Sequence, residues 1–151
     1  MAWTNPNAPN LTDFTTFVLN QGVPTADLPS GDEYLTYAFN WAINLCLTVP
    51  SMPAQIYILA VYNLGTHRLI RIAPDQTGQT WFTDARQQYG LLVLKPGVVL
   101  ASGDQGTSQT LVVPEWYQHL PLQAQDLLKT PWGREYIDYA QMAGTYVVGV
   151  S

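Results

Sequence analysis

Residues Ser30 to Ile72, SGDEYLTYAFNWAINLCLTVPSMPAQIYILAVYNLGTHRLIRI, decide the fold. They read as two apolar helices joined by a tight, proline-flanked turn. Ser30 and Glu33 match the S-x-x-E pattern of a capping box, which satisfies amide donors otherwise unpaired at a helix start. Asp32 and Glu33 also suit the positive end of the helix dipole, and that position accounts for them without any acid-base chemistry. The polar residues fall at Asp32, Thr36, Asn40, Asn44 and Thr48. A spacing of four draws one narrow stripe along a helix, and nearly everything between is apolar. A helix so apolar belongs at the centre of a domain or against another subunit. Val49-Pro50 ends it, since the residue before a proline avoids the helical region. Ser51 is a candidate cap for the next helix, with Pro53 in its first turn. Neither segment has the roughly 20 apolar residues of a membrane span.

Outward from that pair, composition narrows the function classes. The 151 residues fit one domain. Hydrophobic residues make up 47% and charged ones 11%, so little charge remains to coat a monomer, which favours a surface covered by partners. A net charge of −5 argues against binding nucleic acid by phosphate neutralisation. The single cysteine, Cys46, rules out an internal disulfide and reads as a small buried hydrophobe. The start, MAWTNPNAPN, lacks the basic residues and apolar run of a secretory signal, so a cytoplasmic origin is expected.

Residues 1–10 read as an arm, in which Trp3 either anchors into a neighbour or folds back on its own domain. Thr12 is the expected cap of a short helix presenting Leu11, Phe14, Phe17 and Val18, stopped by Gly22. A polar loop after Ile72 leads to a short helix from Thr83 to about Tyr89. Leu91 to Val113 holds two β-branched runs around Gly103-Asp104-Gln105-Gly106, a hairpin signal. Gln123 to Lys129 and Thr130 to Ala143 read as two more helices, and residues 145–151 as an extended strand. That strand either adds to a neighbour's sheet or completes its own hairpin. The expected fold is therefore mainly α: an N-terminal arm (1–10), a small helical bundle (11–144) with a β-hairpin insertion near 91–113, and a C-terminal tail strand (145–151).

No reaction is announced. His67 and His119 are far apart and belong to no metal-ligand pattern, and His67 is expected to make one local hydrogen bond. Cys46 lacks a neighbouring base and a polar setting for a nucleophile. The Gly103–Gly106 turn is followed by no Lys-Ser/Thr and is no phosphate loop. The chain does not read as an enzyme, and no cofactor or metal is expected.

Three stretches, LPSGDEYLTYAFNWAINLCLTVP, YNLGTHRLIRIAPD and LLKTPWGREYIDYAQMAGTYVVGV, together resemble the head-tail connector, or adaptor, proteins of tailed bacteriophages. The resemblance covers about two-thirds of the chain in pattern and order. It implies a structural virion protein that forms a ring, usually of about twelve copies, beneath the portal protein. That ring would extend the DNA channel, pass DNA without specific binding, and seat the tail or nozzle proteins at the head-tail interface of the virion. It also suggests interface residues: Trp132, Tyr136 and Tyr139 as a patch, with Tyr146, Val147 and Val148 as a docking strand. The three aromatics fit a monomer core equally well. Two other readings compete: a capsid-decorating or tail-completion protein, and a small-molecule binding domain lined by Tyr34, Tyr37, Trp41 and Tyr57.

Overall fold

The computed structural model describes residues 8–46, 52–92, 98–102, 109–112 and 122–142. Within them the architecture is mainly α. The elements are α1 (Leu11–Asn20), a 3-10 turn (Thr25–Asp27), α2 (Glu33–Leu45), α3 (Ala54–Ile72), α4 (Trp81–Gln88), β1 (Val98–Ser102), β2 (Gln109–Val112), α5 (Leu122–Leu127) and α6 (Pro131–Met142). β1 and β2 pair antiparallel, with a register irregularity between Val99 and Ala101. Trp3, the Gly103–Gly106 turn, His119 and the 145–151 tail lie outside the described residues.

α3 is the axle of the bundle. It packs chiefly on α2 and α6, with α1 and α4 against other parts of its circumference. An unbroken run from Ala60 to His67 is buried on it. Sequence left so apolar a helix either central in its domain or against another subunit, and for α3 its own chain supplies the shelter. Close approach depends on small residues. A Cβ at Gly65 would lie 2.9 Å from the Phe14 ring, so α1 can press its aromatic side onto α3. There Phe14 sits 5.6 Å from Phe39 and 5.8 Å from Tyr62, centroid to centroid. Tyr62 keeps its polar end useful. Its hydroxyl accepts from the Asn10 amide at 3.2 Å and lies 3.4 Å from the Asn10 carbonyl, tying the start of α1 to mid-α3. α2 is less enclosed. Leu35, Ala38, Phe39 and Ala42 face inward, but Tyr37 is 55% and Leu45 40% exposed.

The helix starts differ from the sequence expectation by a residue or two. α2 is capped by Asp32, whose carboxylate accepts from the Tyr34 amide at 2.7 Å, not by Ser30. Ser30 and Gly31 instead occupy a turn in which the Asp32 amide reaches the Pro29 carbonyl, and Gly31 takes φ +81°. α1 is capped by Asn10, accepting from Asp13 at 2.8 Å, not by Thr12. α3 begins after Pro53 with no side-chain cap. Gly22, at φ +107°, does end α1 as read; a left-handed turn there favours glycine.

A pair of aspartates joins the 3-10 turn to the α4 start. Asp75 accepts from the amides of Phe82 (2.8 Å) and Thr83 (3.0 Å) and from the Thr83 hydroxyl, supplying the anion that a helix N-terminus favours. Asp27, fully buried, accepts from the Gln76 amide at 2.7 Å, while its other oxygen has no partner unless it carries a proton. Burial raises the Asp27 pKa above 3.8, and the facing Asp75 carboxyl raises it further against the pull of Gln76. Burial also pushes Asp75 up, but the hydrogen bonds from Asp27, Thr83 and the Phe82 amide outweigh it and hold it low. Of the two, Asp27 therefore keeps its proton to higher pH than Asp75. The two carboxyls have opposite pH slopes. The Asp27 contribution is full below its ordinary value and fades as pH rises through its raised pKa. The Asp75 contribution is present above its ordinary value and fades as pH falls through its lowered one. Asp27→Asn keeps an acceptor for Gln76 and gives Asp75 a donor at every pH. We expect a gain of about 1 kcal/mol at pH 8 that shrinks toward pH 4. Thermal melts across that range check it; a variant less stable than the parent at pH 8 would refute the opposed shifts of the two carboxyls.

Candidate functional site

Among the described residues a cleft of about 600 Å³ opens between α2, α3, the 91–92 turn and α5, within the range of ligand sites. α3 contributes His67, Arg68 and Arg71, which one helical turn places close together. Arg68 stacks over the half-buried Trp41 ring of α2, 5.0 Å from its centroid; a guanidinium there gains from the ring's negative face. Leu45, Leu91 and Leu127 supply the apolar wall, and Lys129 the far rim, where its ammonium donates to the Gly90 carbonyl at 3.2 Å.

Asp126 organises the polar side. One carboxylate oxygen is 3.0 Å from His67 Nε2, and the other pairs with the Arg71 guanidinium. Burial works to raise the Asp126 pKa, but the His67 hydrogen bond, with the Arg71 charge behind it, prevails and holds it below 3.8. His67, 2% exposed, also has Nδ1 2.7 Å from the Thr130 hydroxyl oxygen. Thr130 in turn accepts from the Gly133 amide at 3.0 Å, capping α6. Every group finds a partner when the ring proton sits on Nε2: Gly133 N–H donates to Thr130, Thr130 O–H to Nδ1, and Nε2–H to Asp126. The His67 of the sequence expectation, with one local hydrogen bond, is instead held by two residues 59 and 63 positions away.

An Asp-His-Thr series suggests a nucleophilic triad, but Thr130 is fully buried and its lone pair is committed to the α6 start. A nucleophile must reach its substrate, so the series is a clamp joining α3, α5 and α6. Cys46 is equally inert. It is 6% exposed, and burial pushes its thiol up to about 11. Among the described residues no group of three His, Cys, Asp or Glu could hold a metal ion, and no helix is long and apolar enough to cross a membrane.

The residues singled out from sequence separate. Trp132 and Tyr136 are buried in this chain's core and Tyr139 is half-buried. Trp132 donates its indole N–H to Gln21 at 3.0 Å and meets Tyr89 edge-on. Trp3, Tyr146, Val147 and Val148 lie outside the described residues. Of the four aromatics suggested for a small-molecule pocket, only Trp41 lines the cleft; Tyr34 and Tyr37 stack edge-on with each other along α2, and Tyr57 is half-buried elsewhere on α3. Sequence reasoning missed Asp126, Thr130 and Lys129. No family model, curated protein or solved structure matches the chain.

Proposed function

We propose that the protein is a structural virion component, a head-tail connector that forms a ring beneath the portal, extends the DNA channel and seats the tail. The observation that carries this reading is the open side of α2. Tyr34, Tyr37, Trp41 and Leu45 follow one another at helical spacing, Tyr37 and Leu45 well exposed, on a chain with only 11% charged residues. An aromatic stripe of that kind suits the buried centre of a subunit contact, and the resemblance in sequence names the assembly. The reading includes a β-hairpin insertion near 91–113, to which the β1–β2 pair would belong, and an extended strand at 145–151 that docks on the portal. Partners are further copies of the chain, the portal and the tail or nozzle proteins, with DNA passing through unbound.

Native mass spectrometry of the chain, alone and with portal, tests the ring. About a dozen copies are expected on the portal; a monomer under both conditions would end the proposal. Removal of residues 145–151 is expected to weaken portal binding at least about tenfold, the loss of one added strand. Unchanged binding by the truncated chain would exclude the tail as the docking strand.

A further inference from the structure

Three of the six Lys and Arg residues of this acidic chain, Arg68, Arg71 and Lys129, line this cleft, against a single carboxylate, Asp126, among its lining residues. Asp126 is already engaged by His67 and Arg71. Below the cations the wall is leucine, and Leu92 at its edge is 62% exposed. A cationic rim over an apolar floor fits a ligand with carboxylates beside an apolar side chain.

The chain displays such an element on α6. Glu135, Asp138 and Met142 are all exposed, Met142 by 74%, and their spacing of three and four puts them on one stripe. None of the three lines the chain's own cleft. We infer that the cleft is a socket for the Glu135–Asp138–Met142 stripe of a second copy, an inference that rests on the ring reading above. Socket and stripe share no residue, so the contact is head-to-tail, the kind that closes into a ring when its rotation permits. Complementary charge would set the register and exclude wrong partners. A net charge of −5 sets the chain against nucleic acid as the occupant.

The full-length chain tests this through charge reversal. One variant reverses the socket (Arg68→Glu with Lys129→Glu) and the other the stripe (Glu135→Lys with Asp138→Lys). Each alone is expected to self-associate at least about tenfold more weakly by sedimentation velocity, as reversed charge pairs do. Mixed in equal amounts they should assemble again, because each reversed socket then meets a reversed stripe. Melting curves by circular dichroism verify folding; the stripe residues are exposed, and Lys129→Glu alone replaces the double socket variant if that one does not fold. If the parent forms rings and either variant does so equally well, the contact is wrong while the ring reading stands. A parent that stays monomeric with and without portal defeats both. Duplex DNA binding lost in the socket variant, with assembly unchanged, would make the cleft a phosphate site and overturn the inference.

Discussion

Replacing Gly133 with alanine is expected to cost about 3 kcal/mol or more, at the upper end of what overpacking a buried site does. Gly133 is the third residue of α6 and its amide is the one Thr130 caps. A Cβ there would stand 2.7 Å from the Leu127 carbonyl carbon and 2.8 Å from its Cα. Those are backbone atoms at the end of α5, unable to turn aside as a side chain does. The two helices must part, and the Thr130 cap, the His67 clamp and the Trp132 packing move with them. For a domain of this size the loss corresponds to a melting temperature lower by about 6–12 °C. Gly65→Ala makes the internal comparison. Its new methyl meets only the rim of the Phe14 ring, which can shift, so a smaller loss of about 1–2 kcal/mol is expected. Equal losses at the two sites would contradict the close α5–α6 approach.

His67→Ala is expected to cost about 3 kcal/mol, from a buried cavity together with polar groups left without partners. The Thr130 hydroxyl loses its acceptor and Asp126 keeps only Arg71. The same clamp gives the parent an acid limb. Asp126 is held below its ordinary value, so its contribution is complete above about pH 4 and lost as pH falls through the lowered pKa. Denaturant titrations at pH 7 and pH 3 measure both effects. The His67→Ala deficit should narrow in acid, since the Asp126 anion that His67 supports is then disappearing. A deficit that is constant with pH, or below about 1 kcal/mol, would show the clamp to be incidental.

How much was legible in advance follows from the range of the forces involved. The α2–α3 pair could be read because hydrophobic period and proline breaks act within a few residues. The starts shifted because adjacent residues compete: Asp32 and Ser30 are both good caps, and Gly31 settled the matter by turning the chain between them. Which of the two shelters α3 has, its own chain or another subunit, was not legible, since it depends on α6 arriving from 59 residues downstream. The cleft was hidden for the same reason. His67 and Arg71 share a helix face that spacing reveals, but their carboxylate is 59 positions from His67 in a short segment with no signature of its own. What could have pointed to it is modest: Asp126 four residues ahead of a Thr130-Pro131 helix start, and Arg68 and Arg71 together near the end of an otherwise apolar helix.

The central position of α3 carries a consequence for how the molecule is made. Its last residue, Ile72, leaves the ribosome about 70 residues before α6 is finished at Met142. At translation speeds of roughly 5–20 residues per second, that is a wait of roughly 4–14 s with one flank of the nascent helix bare. During that interval the flank is a natural target for a holdase, and the wait ends when the last described helix emerges and closes over His67.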